Sequence, residues 1–298
     1  MRKAHRVMLV VATAAVTVLA GATAANALAG PAKAPTRFHP PADSLGALAA
    51  PIGLRIGNAV NMDKLNVDAA YTSLVANQYS TVTPENVMKW DSIEPTQGNL
   101  NFAPGDQLIK FARQHGQLVR AHTLLWHNQV PDWLTTGVNS GTITNNQLRG
   151  ILKQHIFDEV GHFRGKIWQW DVANEVFANA WDPHPLADGI NGDDFWVSHL
   201  GEGIIADAFR WAHQADPHAL LFYNDFNIAG EDGTNAKADA VYAWVKSMRR
   251  QGVPIDGVGE QGHLDTQYGF SGTLMQSDLA RYASLGSGLR ELNSSLRT

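Results

Sequence analysis

Short apolar runs alternate with longer amphipathic segments along most of the chain. The amphipathic segments predict helices, and two of them, Asp106–His115 and Ala236–Gln251, are followed by Gly116 and Gly252, which are typical of a helix C-terminus. Strands that alternate with helices predict an α/β fold with a parallel sheet. The other clear helical segments are Asn145–Val160 and Gly203–Ala215. The predicted strands are Leu54–Val60, Tyr79–Thr83, Gln117–Trp126, Ile167–Val172, Ala219–Tyr223 and Gly257–His263.

Polar side chains gather at the C-terminal ends of these predicted strands. A β/α barrel builds its active site from the loops that follow its strands, whereas an open doubly wound sheet gathers such residues mainly at one crevice. The pattern therefore favours a (β/α)8 TIM barrel. The polar residues are Glu85, Asn86 and Lys89 after the second strand, His122, Trp126 and His127 at the third, Asn174 and Glu175 at the fourth, Asn224 and Asp225 at the fifth, and Gln261 and His263 at the sixth.

The first 29 residues have the three-part pattern of a secretory signal peptide. Positive charges at Arg2, Lys3 and Arg6 precede an apolar stretch, and Ala-x-Ala sites follow it. The apolar stretch, residues 7–20, is shorter than the roughly 20 residues that a membrane-spanning helix needs. We therefore expect a secreted, extracellular protein that has no membrane contact after cleavage. The predicted segments are a signal peptide at 1–29, a flexible lead-in at 30–43 and a catalytic domain at 44–298.

The composition mainly excludes certain kinds of site and certain partners. The 298 residues contain no cysteine, which rules out disulfides, thiolate metal sites and a Cys nucleophile. The formal net charge of −5 argues against a nucleic-acid partner, which would require a basic surface. Nine tryptophans suggest flat apolar platforms, for which Trp126, Trp133 and Trp181 are the candidates, whereas Trp211 and Trp244 lie on predicted helices and are expected in the core.

The segment from Asp171 to Glu175 carries the most informative chemistry. A strand runs directly into an amide and a carboxylate, Asn174 and Glu175. A carboxyl group at the end of a buried strand beside tryptophan is suited to general acid catalysis, and the amide can hydrogen-bond a sugar hydroxyl. The same two residue types are equally typical of a helix N-terminus after a βα turn. This segment alone leaves both interpretations open.

Five motifs together resemble those of glycoside hydrolase family 10, the retaining endo-1,4-β-xylanases. They follow the family's order, and the resemblance extends from about Ser44 to about Gly286. It implies a barrel that hydrolyses internal β-1,4 linkages of xylan by retaining double displacement. It also implies xylan or xylo-oligosaccharides as the partner, a monomer, and no metal or organic cofactor. The motifs are Thr83–Trp90, Ala121–His127, Asp171–Glu175, Tyr223–Asn227 and Gln261–His263.

The resemblance also implies a role for each residue at the strand ends. Glu175 would be the acid/base that protonates the leaving glycosidic oxygen. The other residues would bind sugar. The sugar two positions from the cleavage point, on the non-reducing side, would contact Glu85, Asn86 and Lys89. The reacting sugar would be lined by His122, Trp126 and Asn174. The nucleophile and that same sugar would be approached by Gln261 and His263.

The nucleophile is where the sequence departs from the family pattern. A retaining mechanism needs a second carboxylate about 5–5.5 Å from the first, and the family places it at the end of strand 7. Glu291 is the candidate, but Ser287 and Gly288 precede it where the family has a β-branched run. Glu291 is therefore interpreted either as the nucleophile or as a solvated residue of an altered C-terminal tail. No counterpart of strand 8 and its helix is found. We therefore expect a C-terminally incomplete barrel with weak or absent activity, and a β-glucan-cleaving barrel glycosidase or an inactive sugar-binding relic remain alternatives.

Other motifs carry weaker implications. His122 and His127 are five residues apart on a strand and project to opposite faces, which disfavours a shared metal ion. The segment Gly201–Ala206 matches a loose dinucleotide fingerprint, which requires a buried strand directly before it. Glu260 is expected to face the helix layer and not to be catalytic, and Phe226 stands where the family often has Tyr.

Overall fold

The computed structural model describes residues 40–231, 235–263 and 271–285. The predicted signal peptide, most of the lead-in and Glu291 lie outside the described residues. The described residues contain six strands, and each overlaps one of the predicted apolar runs. They are β1 (Gly57–Val60), β2 (Thr81–Pro84), β3 (Leu118–Leu125), β4 (Gln169–Asn174), β5 (Leu220–Asp225) and β6 (Gly257–Glu260).

Helices fill the connections between the strands. A short 3₁₀ turn, Ala50–Ile52, follows the first helix. The four predicted helices are confirmed, with ends that differ from the prediction by three residues or fewer. The helices are α1 (Leu45–Ala49), α2 (Met62–Val67), α3 (Ala69–Gln78), α4 (Trp90–Ile93), α5 (Ala103–Gln114), α6 (Asp132–Asn139), α7 (Asn145–His162), α8 (Phe195–Leu200), α9 (Gly203–Ala215), α10 (Ala236–Arg250) and α11 (Gly272–Ala283). None of those described combines the length and apolarity needed to cross a bilayer.

The strands form one parallel sheet in the order β1-β2-β3-β4-β5-β6. Every strand therefore lies beside its neighbour in the chain, as in a β/α barrel and unlike the reversed order of a doubly wound sheet. The predicted barrel is confirmed to the extent of these six parallel strands, and the prediction for strands 7 and 8 concerns residues beyond those described. Because all six strands are parallel, their carboxyl ends meet at one edge of the sheet.

The local sequence explains where the elements begin and end. α7 begins with a capping box in which the Thr144 hydroxyl accepts from Gln147 N and the Gln147 side chain accepts from Thr144 N. Gly116 and Gly252, predicted as helix stops, adopt left-handed φ values of +64° and +74°. β6 ends before its predicted limit because the chain turns at Gly262, where φ is +59°.

The core lies between the sheet and the surrounding helices. All six residues of β4 are buried, as expected for a central parallel strand covered on both faces. α7 packs on α9 with buried residues at helical spacing, including Leu148, Leu152 and Ile156. Trp211 and Trp244 are buried, as predicted. Gly201 follows a helix, α8, and not a strand, so the dinucleotide fingerprint lacks its required context.

Candidate active site

Glu175 stands at the carboxyl edge of the sheet, directly after the buried strand β4. Its backbone N–H donates to Asn224 O at 2.9 Å, which continues the pairing with β5 by one residue. Its φ of +56° is a left-handed conformation that is uncommon for a side chain of this size. Such strained conformations concentrate at functional sites, where the surrounding structure holds them in place.

Each oxygen of the Glu175 carboxyl group accepts a hydrogen bond, one from either side of β4. Trp126 Nε1 donates to Oε2 at 2.9 Å, and Gln261 Nε2 donates to Oε1 at 2.9 Å. The donors come from the ends of β3 and β6, which lie on opposite sides of β4 in the sheet order. The carboxyl group is therefore oriented from two directions while its side chain remains only partly buried.

Beneath Glu175, buried amides connect three strands. Asn224 Nδ2 donates to Asn174 Oδ1 at 2.6 Å, and Gln261 Nε2 lies 3.2 Å from the same oxygen. Asn174 Nδ2 has no hydrogen-bond partner among the described residues, although Asn174 is fully buried. A buried amide donor without a partner is costly unless a ligand or water satisfies it. Asn174 thus offers a free donor beside the Glu175 carboxyl group.

A buried ion pair supports these amides from below. Arg120 Nε donates to Asp171 Oδ1 at 3.0 Å, and an Arg120 terminal nitrogen lies 2.6 Å from Asp171 Oδ2. The same Arg120 donates to Asn224 Oδ1 at 2.9 Å. His122 Nδ1 lies 2.8 Å from Asp171 Oδ2. Burial alone would raise the pKa of Asp171, but Arg120 and His122 hold that pKa below its ordinary value, so Asp171 is ionised.

The predicted residues after β2 gather on the β3 side of the site. Lys89 Nζ donates to Asn86 Oδ1 at 3.0 Å and lies 5.0 Å from the centre of the Trp126 ring. Glu85 and Asn86 are exposed at the end of β2. The structure therefore brings Asn86, Lys89 and Trp126 together beside Glu175, with polar groups facing solvent.

Gln261 and His263 lie on the other side of Glu175. His263 Nε2 is 2.7 Å from Gln261 Oε1, which orients the amide so that its nitrogen faces Glu175 and Asn174. The His263 ring meets Phe226 edge-on, with 5.9 Å between ring centres. Glu291, the predicted nucleophile, lies outside the described residues.

The two histidines of the third strand have separate carboxylate partners. His122 pairs with Asp171, and His127 Nδ1 lies 3.1 Å from Asp194 Oδ2. Burial lowers the pKa of His127, but Asp194, Glu175 and Asp225 together raise it above its ordinary value. No cluster of three or more potential metal ligands occurs in the described part of the chain.

A pair of buried carboxyl groups lies beside the turn at Gly262. Glu260 accepts from Gly262 N at 2.7 Å and from Ile228 N at 3.2 Å, while Glu231 accepts from Asn227 N and Ala229 N. Burial, a hydrogen bond with Glu231 and the Glu231 charge raise the pKa of Glu260 to about 10. Glu260 is therefore protonated at neutral pH, and the pair ties the loop after β5 to the end of β6.

Several supporting residues were not among the predicted site residues. Arg120 and Asp171 hold the amides below Glu175, and Lys237 donates to Asp225 Oδ1 at 2.7 Å. A sequence signal exists for the first two, because a charged residue inside a strand buried on both faces requires an opposite charge nearby. Lys237 carries no such signal, since a Lys in an amphipathic helix is ordinarily exposed.

Comparisons with known proteins show which family the chain belongs to. Residues 44–291 match the family model described as glycosyl hydrolase family 10. Endo-1,4-beta-xylanase B of Thermotoga neapolitana is 37% identical over 235 residues, which cover 79% of this chain and 63% of that protein. Beta-1,4-xylanase of Dictyoglomus thermophilum is 38% identical over 221 residues, which cover 72% of this chain and 56% of that protein.

Solved structures show the same similarity. Native xylanase 10B from Thermotoga maritima superposes with a TM-score of 0.74 at 36% identity, covering 85% of this chain and 73% of that chain. Xylanase 10B from Thermotoga petrophila RKU-1 in complex with xylobiose gives a TM-score of 0.74 at 36% identity, covering 85% of this chain and 72% of that chain. The chain spans 56% to 65% of the length of the first three curated relatives that it matches.

Proposed function

We propose that this chain, which belongs to glycosyl hydrolase family 10, is an endo-1,4-β-xylanase that uses Glu175 as its acid/base. The observation that carries the proposal is the Glu175 carboxyl group, oriented by Trp126 and Gln261. It lies beside Asn174, whose Nδ2 has no hydrogen-bond partner among the described residues. A proton donor must be held in one orientation and remain open to solvent and substrate, and Glu175 meets both conditions.

The surrounding side chains suit a neutral, hydroxylated substrate. Asn86, Lys89 and Asn174 supply polar groups for sugar hydroxyls, and Trp126 supplies an aromatic ring. Aromatic rings together with a few convergent polar groups are the usual composition of a small-ligand site. Among the structural relatives, one was solved with xylobiose and another with xylotriose, which supports a xylan-type substrate for this chain.

In the proposed mechanism Glu175 acts twice. It first donates its proton to the glycosidic oxygen as the bond from that oxygen to the anomeric carbon breaks. It then accepts a proton from water as the water oxygen attacks the anomeric carbon and the bond to the enzyme nucleophile breaks. Each carboxyl oxygen has two lone-pair positions, so the bonds from Trp126 and Gln261 leave room for the proton. Asn174 Nδ2 would donate to a hydroxyl of the reacting sugar.

The proposed double displacement requires a second carboxylate as nucleophile. Glu291, the predicted candidate, is the last residue matched by the family model. We assign it this role, in which its carboxylate forms an ester with the anomeric carbon and the leaving sugar departs with the Glu175 proton. Retention of anomeric configuration follows from two successive inversions at the same carbon.

Residues 1–29 would direct export, so that the enzyme acts outside the cell as a monomer. Support for export comes from the charged, apolar and small-residue segments of this stretch. N-terminal sequencing of the protein recovered from a culture medium tests the cleavage site, which we expect after Ala29. Size-exclusion chromatography tests the monomer.

The direct test of the proposed activity is reducing-end release from xylan and from a soluble cellulose derivative. We expect weak turnover on xylan, as the sequence predicts for this chain, and still less on the glucan. Activity should be lost in Glu175→Gln and in Glu291→Gln. Preference for the glucan would indicate a β-glucan-cleaving enzyme. Binding of xylo-oligosaccharides without cleavage would contradict the proposal and favour a sugar-binding protein. Full activity in Glu291→Gln would place the nucleophile elsewhere.

A further inference from the structure

An exposed tryptophan lies in the loop that follows Glu175. Trp181 is 66% exposed, and the other exposed large hydrophobic residues among those described all lie between Leu45 and Leu74. Exposing an indole to water forfeits the free energy that its burial would gain. An exposed aromatic ring near a polar site is therefore a candidate contact surface.

Trp181 sits in a closed turn spanning residues 179–182. Asp182 N donates to Asn179 O at 3.0 Å. The Asp182 carboxylate in turn accepts from Asn179 N at 2.5 Å and from Asn179 Nδ2 at 3.2 Å. The turn thus restricts the backbone that carries the indole, which reduces the conformational entropy lost when a ligand binds.

The same turn is attached to the strand beside β4. Asn179 Oδ1 accepts from Lys237 Nζ at 2.9 Å, and Lys237 Nζ also donates to Asp225 Oδ1 at 2.7 Å, at the end of β5. Both partners of this ion pair are buried. Because these two charges are buried and paired with each other, neither of them attracts a charged ligand to the surface next to Trp181.

A row of rings extends from Glu175 to Trp181. Gln261 contacts Glu175, His263 contacts Gln261, and the His263 ring meets Phe226 at 5.9 Å between ring centres. The Phe226 and Trp181 rings are nearly parallel, with 22° between their planes and 6.4 Å between their centres. This row lies on the β5 and β6 side of Glu175, whereas Trp126 approaches Glu175 from β3, on the other side.

The residues expected at the non-reducing sugar, Asn86 and Lys89, lie on the β3 side of Glu175, so the β5 and β6 side corresponds to the leaving group. We propose that Trp181 binds a xylosyl ring of the substrate on this leaving-group side of the cleavage point. This inference rests on the proposed function, because it assumes that a β-1,4-linked xylan chain crosses Glu175. The apolar C–H face of a pyranose packs on the indole, and the closed turn holds the indole ready for that contact. Trp181 thereby determines the preference for long substrates over short ones.

The test compares a substrate that reaches Trp181 with one that does not. Xylohexaose places sugars on both sides of the cleavage point, whereas p-nitrophenyl β-xylobioside places only an aryl group on the leaving side. We expect Trp181→Ala to lower kcat/KM on xylohexaose about three- to tenfold, the range of one aromatic contact, and to leave the aryl substrate unchanged. Trp181→Phe, which keeps an aromatic face, should recover most of the loss.

Binding measurements separate this inference from the proposed activity. Calorimetric titration of xylohexaose into Glu175→Gln, with and without Trp181→Ala, needs no turnover, and we expect the double variant to bind about three- to tenfold more weakly. Equal affinity in the two proteins, or equal loss on both substrates in the kinetic test, would overturn the role of Trp181. If the wild-type protein does not cleave xylan, but Trp181→Ala still weakens xylohexaose binding, the proposed activity is contradicted and the role of Trp181 stands.

Discussion

Trp126 Nε1 lies 2.9 Å from Glu175 Oε2, and this hydrogen bond joins the end of β3 to the end of β4. Trp126 makes a second contact as well, because its ring centre lies 5.0 Å from Lys89 Nζ. One edge of the indole orients the carboxyl group, while its face contributes to the surface on the β3 side. A substitution can remove the hydrogen bond and keep the aromatic face.

Replacement of Trp126 by Phe removes the hydrogen-bond donor and keeps an aromatic face. Because an ordinary hydrogen bond contributes about 0.5–1.5 kcal/mol, we expect kcat/KM on xylan to fall about two- to tenfold. Trp211→Phe, on helix α9, is the matched control and should retain activity. Unchanged kinetics in Trp126→Phe would show that the indole N–H does not orient Glu175.

The Arg120–Asp171 ion pair stabilises the folded protein beneath the site. Asp171→Asn leaves a buried guanidinium without its opposite charge, so we expect the free energy of unfolding at pH 7 to fall by about 3–5 kcal/mol. Because the folded-state pKa of Asp171 lies below its unfolded value, this stabilisation is present above the unfolded pKa. It is lost as pH falls through the folded pKa.

Urea unfolding of Asp171→Asn and the wild type at pH 7 and in strong acid measures both effects. The difference between the two proteins should shrink in acid, where the Asp171 carboxylate is protonated. An equal difference at both pH values would mean that lost packing, and not lost charge, destabilises the variant.

Gly259 provides the space that Arg120 and Asn224 occupy. A Cβ at this position would lie 2.4 Å from Asn224 Oδ1 and 3.4 Å from Arg120 Nη2. We expect Gly259→Ala to lower thermal stability by about 1–3 kcal/mol and to reduce activity as well. Gly150→Ala, in an exposed turn of α7 with open space around it, should instead stabilise by about 0.5–1 kcal/mol. Equal effects of the two substitutions would contradict this role of Gly259.

The Glu231–Glu260 pair should make stability depend on alkaline pH. The pKa of Glu260 is raised to about 10, so the folded state holds a proton that the unfolded state loses at much lower pH. Its contribution to stability is therefore complete below the unfolded pKa and decreases as pH rises towards 10. Glu260→Gln keeps an acceptor for Gly262 N and a donor for Glu231 without titrating, although it loses the acceptor for Ile228 N at every pH. Thermal melts from pH 6 to 9.5 should slope less in the variant, and identical slopes would contradict the shared proton.

Much of the fold was predictable because the dominant signals are local. Each strand is an apolar run between polar segments, and Gly116 and Gly252 mark helix ends by their own conformational freedom. The residues at the strand ends were also predictable, since parallel strands bring their carboxyl ends to one edge. Glu175 and Asn174 fall at that edge for this reason alone.

The contacts within the site depend on distant parts of the chain. Gln261 reaches Glu175 across 86 positions, and Arg120 reaches Asn224 across 104. Such pairings follow from strand order and register, which no local pattern encodes. The attachment of the Trp181 turn to β5 likewise depends on a distant contact, between Lys237 and Asn179.

The leaving-group dependence of Glu175→Gln tests the central claim most directly. A general acid contributes about 10²–10⁴-fold when the leaving group needs a proton, and far less when the leaving group is already acidic. The measurement is kcat/KM of wild type and Glu175→Gln on xylo-oligosaccharides and on dinitrophenyl β-xylobioside. We predict a loss of about 10²–10⁴-fold on the sugar substrate and a much smaller loss in formation of the glycosyl-enzyme from the aryl substrate. Equal losses on both substrates, or none on either, would contradict the assignment of Glu175 as the proton donor.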